Sequence, residues 1–231
     1  MEKYTKELVF SAKPAMGELM RAMQDVAGEH AAALGAGREE LLKANAAWVI
    51  VQLRCEITRM PEKGERVFIS TWPIKSRFRL YPRRYEFTAE SGEVLLTALG
   101  IWAVMDLESR TTVDASGVGL LVDEAASDER VRLQRRISMP EGGEEYCFSP
   151  TEEHLDYNGH MNNARYLDVA ESFLPKELRE AKLLEMAVDF EHELLFGQKV
   201  SIRLVREGDS CTFEGRVEDS VCFRISERFA V

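Results

Sequence analysis

The chain has 231 residues, 45% of them apolar, and a net charge of −10 from 30 Lys plus Arg against 40 Asp plus Glu. That balance excludes a general nucleic-acid binder, which carries a basic footprint, and no apolar run approaches the ~20 residues that span a bilayer. The opening "MEKYTKELVF" lacks the basic end, apolar stretch and cleavage site of a secretory leader. A cytoplasmic protein is expected, with neither nucleic acid nor membrane insertion in its chemistry. Cys55, Cys147, Cys211 and Cys222 show no C-x-x-C spacing. They read as buried free thiols rather than a zinc cluster or redox pair.

In chain order, "MGELMRAMQDVAGEHAAAL" reads as a helix. "AAWVIVQLRCEITRMPEKGERVFISTW" reads as two strands joined at Glu62–Gly64. Strands at Tyr85–Thr88 and Val94–Met105 follow, about the turn "AESGE". Before them lies "KSRFRLYPRR", Lys75–Arg84, with five cations and no acid. On a strand, Lys75, Arg77 and Arg79 share one face. The plain reading is an edge strand guarded by charge. The functional reading adds Arg83 and Arg84 and makes the stretch a docking patch for an acidic partner. Leu107–Glu141 shows little pattern beyond a short helix.

The second half repeats this order. "NNARYLDVAESFL" reads as a helix stopped by Pro175, and its "YLDVA" echoes "MQDVA" at Met23–Ala27. "LLEMAVDFEHELLFGQKVSIRLV" reads as two strands joined near Phe196–Gly197. Cys211–Val217 and Val221–Phe229 complete the half about the turn "EDS". Setting Gly64 on Gly197 brings Val67 onto Val200 and Ile69 onto Ile202. No shorter period that would indicate a solenoid is apparent. One helix covers a curved sheet only if the sheet wraps it. That buries the helix nearly all round and suits Ala164, Leu167, Val169, Ala170, Phe173 and Leu174. The expected class is α+β: two tandem hot-dog domains, each an antiparallel sheet wrapped around a long central helix. They occupy residues 1–115 and 144–231, with 116–143 as the connection.

The chemistry concentrates in "DYNGHMNNARYLDVAES", Asp156–Ser172. Asp156, Asn158 and His160 alternate in a loop before the helix, Gly159 permits positive φ, and Asn162 or Asn163 suits the N-cap. A carboxylate, an amide and an imidazole beside free helix amides are the parts needed to hydrolyse an ester or thioester with water. The plain alternative is a hydrogen-bonded turn with a passive histidine. The amides of Gly159 and His160 are candidate oxyanion donors. Aligning the glycines sets Glu193 opposite Met60, and aligning "DVA" sets His160 opposite Gly17. The first half therefore lacks both groups. Glu193 lies on a stretch with Val188, Phe190 and Leu194. It needs a partner if buried, and faces solvent if it shares a strand face with Glu191.

The block "LDYNGHMNNARYLD", Leu155–Asp168, resembles the acyl-acyl carrier protein thioesterases. In that family an Asp-x-Asn-x-His array precedes Asn-Asn and an aromatic, and a glutamate follows about one strand later. The resemblance assigns catalytic roles to Asp156, Asn158, His160 and Glu193. It extends to "LGAGREEL", "AAWVIVQLRCEITRMPEKGERVFISTWP" and "ALGIWAVMDLESRTTV", and is weakest over Ser116–Gly143. D-x-x-G-H-x-N-N also occurs in other hot-dog thioesterases. Some members carry cysteine after the glutamate. Here that position is Leu194, so water is the expected nucleophile. The resemblance implies a fatty acyl group on acyl carrier protein as substrate, and neither metal nor organic cofactor. It leaves a homodimer open. The alternatives are an acyl-CoA thioesterase, a non-catalytic acyl-binding module and a dehydratase. Met16, Met20 and Met23 suit helical core first and an acyl tunnel second.

Overall fold

The computed structural model describes residues 3–120 and 122–230. Two compact units emerge. The first holds the chain through Lys13, Arg21–Leu53 and Met60–Gln134; the second holds Pro14–Met20, Arg54–Arg59 and the chain from Arg135 onward. This division differs from the expected one, because residues 116–134 join the first unit instead of standing apart. Ser127 exchanges backbone hydrogen bonds with Lys75 and Pro73, and Glu129 accepts from the Arg84 guanidinium at 2.7 Å. Leu121, in the expected connection, lies outside the described residues.

The first unit contains β1 (Tyr4–Val9), α1 (Met16–Ala33), α2 (Arg38–Lys43), β2 (Ala46–Ile57), β3 (Arg66–Pro73), β4 (Tyr81–Ala89), β5 (Val94–Asp106) and β6 (Thr112–Val113). Its strands run in the order β1-β3-β4-β5-β2, with β6 paired to β5. The second contains β7 (Glu144–Phe148), α3 (Asn163–Phe173), α4 (Lys176–Arg179), β8 (Lys182–Phe190), β9 (Val200–Glu207), β10 (Ser210–Val217) and β11 (Ser220–Ala230). Its order is β7-β9-β10-β11-β8. The two orders are the same, element for element. Gly64 and Gly197 both adopt positive φ (75° and 72°), and the Val67/Val200 and Ile69/Ile202 pairs are buried alike. The faint sequence echo therefore marks a duplicated fold.

In the second unit α3 touches both ends of its strand order. Tyr166 packs edge-on against Phe190 of β8 and Phe223 of β11, and Phe173 stacks on Tyr146 of β7 at 4.7 Å. A five-stranded sheet reaches one helix from both edges only by curling round it, as the hot-dog fold does. Asn162 caps α3 by accepting from the Ala164 amide at 2.9 Å. Leu174, before Pro175, turns extended and ends the helix. In the first unit α1 reaches β1 through Tyr4 and Lys6 on Glu29, and β4 through Arg83 on His30. This helix is less enclosed than expected: Glu18, Asp25 and Glu29 are exposed while Leu19, Met20, Met23 and Val26 are buried. The three methionines, Met16 included, are core residues. Cys55, Cys211 and Cys222 are buried free thiols, but Cys147 is exposed because it points outward from β7, at the end of the strand order.

Behind β8 lies a buried ion pair. Asp189, 2% exposed, accepts from the Arg54 guanidinium and from the Ile137 amide, each at 2.5 Å. Arg54 also donates to the Val188 carbonyl at 2.7 Å. Breaking such a pair strands a buried charge. Asp189→Ala is expected to cost about 3–5 kcal/mol of stability, measurable as a lower urea midpoint.

Candidate active site

The site sits on the connection between β7 and α3. In the first unit the equivalent stretch is Phe10–Ala15; in the second it is Ser149–Asn162, more than twice as long. The extra chain carries Asp156, Asn158 and His160. Gly17, set opposite His160 by the sequence echo, lies instead inside α1. A Cβ there would fall 1.9 Å from Asp168 Oδ1 and 3.0 Å from the Ala164 carbonyl oxygen. That glycine serves close helix approach and is no substitute for a lost histidine.

The loop folds around the Asp156 carboxylate. Its Oδ1 accepts from the Asn158 amide at 2.7 Å and the His160 amide at 3.4 Å, and its Oδ2 lies 3.5 Å from Asn158 Nδ2. The Asp156 amide donates to the His160 carbonyl at 2.8 Å, and Gly159, at φ 79°, donates to the Asp156 carbonyl at 3.1 Å. This corrects one expectation: the amides of Gly159 and His160 already donate inside the turn and are not left open for an oxyanion. His154 is architectural. Its ring accepts from the Thr151 amide at 3.1 Å, and its carbonyl accepts from Asn162.

Glu193 meets the loop from the other side. The expected strand through Glu193 ends early, at Phe190, because the Glu191 and His192 amides both donate to the Cys222 carbonyl and the ladder stops. Glu191 and Glu193 then diverge. Glu191 turns to Arg224 and Arg136, whereas Glu193 Oε2 reaches His160 Nδ1 at 3.0 Å. Their side chains are 37% and 28% exposed for Glu193 and His160, so the pair is reachable from solvent. Asp156, Asn158, His160 and Glu193 are thus brought to one place. Leu194, after the glutamate, is fully buried and carries no thiol.

Tyr166 was not singled out from sequence, although it stands within the quoted block. It is 2% exposed, and its hydroxyl accepts from the Leu194 amide at 3.0 Å. Burial raises its phenol well above the ordinary value, so the hydroxyl stays protonated. The Leu194 carbonyl accepts from the Met161 amide at 2.7 Å. Both backbone groups next to Glu193 are therefore clipped to the helix and its loop. Tyr166→Phe leaves a buried amide unpaired. It is expected to cost about 1–3 kcal/mol and to lower kcat by releasing Glu193 from His160. A thermal melt and a pH–rate profile would check both.

The cationic stretch is not a strand with a charged face. Arg77 and Leu80 exchange backbone hydrogen bonds across Phe78 and Arg79, both at positive φ (56° and 59°). This is the backbone of a two-residue hairpin turn, which sequence normally announces with Asn or Gly. Lys75 pairs with Asp128 at 2.5 Å, and Arg84 with Glu129. Arg83 turns inward to His30 and Thr71. Of the five, Arg77 and Arg79 stay exposed at the tip, flanking Phe78, which is 77% exposed.

No helix among the described residues is long and apolar enough to cross a membrane. The chain is 27% identical to a chloroplastic acyl-[acyl-carrier-protein] hydrolase of Cuphea viscosissima, over 72% of this chain and 44% of that one. It is 26% identical to a chloroplastic oleoyl-acyl carrier protein thioesterase of Arabidopsis thaliana, over 74% and 53%. The chain spans about half the length of these curated relatives. Its fold matches an acyl-ACP thioesterase from Bacteroides thetaiotaomicron with TM-score 0.90 at 22% identity, covering 99% of this chain and 98% of that one. It matches the 12:0-ACP thioesterase of Umbellularia californica with TM-score 0.81 at 17% identity, over 99% and 97%. Residues 5–116 match the acyl-ACP thioesterase N-terminal domain and residues 138–226 the C-terminal domain, so the chain belongs to the acyl-ACP thioesterase family.

Proposed function

We propose that the protein hydrolyses the thioester of a fatty acyl group carried on acyl carrier protein, with water as nucleophile. The observation that carries this is the 3.0 Å contact between His160 Nδ1 and Glu193 Oε2. An Nδ1–H donated to the carboxylate fixes the ring tautomer and leaves Nε2 as acceptor for a proton from water. The water oxygen bonds to the thioester carbon as that proton passes to Nε2. Collapse breaks the carbon–sulfur bond, and the imidazolium returns the proton to the departing thiolate. The products are a fatty acid and the carrier thiol. Glu193 then orients and stabilises the imidazolium. Asp156 shapes the loop and holds Asn158, whose second amide hydrogen is available to the carbonyl oxygen. Glu193, and not Asp156, is the carboxylate working through the base.

For docking of the acidic carrier, the exposed Arg77 and Arg79 remain the candidates. Lys75 and Arg84 are screened by their acids, and Arg83 faces inward. Arg77 and Arg79 changed together to Glu should raise KM for acyl-carrier substrate at low salt and spare a small thioester.

The test is thiol release from matched acyl-carrier and acyl-CoA panels. A higher kcat/KM on carrier substrates is expected; a preference for CoA across the panel would overturn the partner. A variant with Cys55, Cys147, Cys211 and Cys222 all replaced should, if folded, keep substantial activity. Its loss would return the chemistry to a thiol.

A further inference from the structure

The first unit buries a cation with no acid beside it. Arg83 lies on β4 between Tyr81 and Tyr85, on the strand face that also carries Phe87. Its Nη1 donates to His30 Nδ1 at 3.1 Å and to Thr71 Oγ1 at 3.2 Å. Thr71 is fully buried and His30 is 7% exposed. His30 is pushed down to about 4 by its burial and by the Arg83 charge, so it stays neutral at pH 7 and adds no counter-charge. Glu29, next in sequence to His30, is taken by Lys6 and Tyr4. Other buried charges are handled differently: Asp189 meets Arg54, and Glu214 meets Arg224. An enclosed guanidinium without a carboxylate costs several kcal/mol, so the arrangement calls for an anion from outside the chain.

The unused donors say which anion. Nε and Nη2 of Arg83 have no partner among the described residues. Neither is sealed from solvent, since Glu227 Oε2 is the buried side-chain polar atom left unpaired there. These two groups form the side-on fork of a guanidinium, which matches the two oxygens of a carboxylate. One positive charge balances one carboxylate. Around it are aromatic and aliphatic side chains, Tyr81, Tyr85 and Phe87, which suit an apolar tail. We propose that Arg83, held by His30 and Thr71, anchors a carboxylate-binding site inside the first unit, taking the head of a fatty acid or a small free carboxylate. The site is independent of the hydrolytic residues and of whether the chain hydrolyses thioesters.

The experiment is isothermal titration of the full chain with decanoate, decan-1-ol and acetate, on wild type, Arg83→Met and Arg83→Lys, with circular dichroism to confirm folding. Decanoate should bind at least ~10-fold tighter than decanol to wild type, the scale of one charge-assisted hydrogen-bonded pair. Arg83→Met should abolish that preference, and Arg83→Lys, which keeps the charge but not the fork, should lose most of it. Acetate that displaces decanoate from wild type assigns the site to small carboxylates. Acetate that fails to do so assigns it to fatty acids. Binding should also move the His30 ring resonances, a readout needing no Arg83 variant. Equal affinity of acid and alcohol for wild type, unmoved His30 signals, or a preference surviving Arg83→Met would overturn the proposal.

Discussion

His160→Ala should lower kcat/KM by about 10²–10⁴-fold, the typical cost of one positioned acid–base group. The size follows from the pairing of Nδ1 with Glu193, which dedicates Nε2 to the proton of water. Glu193→Gln keeps the shape but removes the charge that steadies the imidazolium, so it should cost roughly as much. The double variant should be little worse than either single one, because both act as a unit. Asp156→Asn tests the division of labour. An amide oxygen can still accept from the Asn158 and His160 amides, so this variant should keep the loop and lose less activity than Glu193→Gln. If Asp156→Asn were the more damaging of the two in a folded enzyme, Asp156 would be the base and Glu193 a bystander. Full activity of His160→Ala would sink the mechanism outright.

Much of this was legible from residue pattern. Gly64 and Gly197 signal strand junctions because only a positive φ closes them, and they tied two halves together at low identity. The loop motif was legible because short polar side chains before an N-cap have few purely structural uses. Pattern failed where tertiary partners decide. Phe78 and Arg79 make a turn that their side chains disfavour, so a hairpin tip passed for a strand. Arg83 and Arg84 are neighbours of equal charge, yet strand alternation sends one to His30 and the other to Glu129. Tyr166 looked like one more core aromatic, because nothing in its spacing reveals that the Leu194 amide meets its hydroxyl. Glu193 left its expected strand through a doubled hydrogen bond at Cys222, which no local propensity encodes.

Stability should fall as pH rises from about 5 to 8, and Glu227 should be the main cause. This residue sits on β11 opposite Cys211 of β10 and Met186 of β8, 4% exposed, with Oε2 lacking a hydrogen-bond partner among the described residues. Burial, and then the Glu171 carboxylate on α3, push its pKa up to about 8. Glu171 is itself raised, by its own burial first and then by Asp168, with Arg179 acting the other way. Cys211 is held up to about 11 and stays neutral. The folded state thus keeps a proton that the unfolded chain releases near its ordinary carboxylate value. The stabilisation from that proton is whole below the unfolded pKa and is lost progressively as pH rises through the folded one. A carboxyl held near 8 instead of its usual range corresponds to about 4–5 kcal/mol between the two ends of that window. Glu227→Gln cannot ionise, so its stability should stay nearly flat over the same range. At pH 5 it should be no better than wild type, since its amide adds a second buried hydrogen without a partner. At pH 8.5 it should be the more stable protein, by an amount read from urea midpoints at each pH. A gap between variant and wild type that does not widen with pH would mean that Glu227 does not titrate there. The alkaline loss, if still seen, would then be assigned to Glu171 and tested with Glu171→Gln.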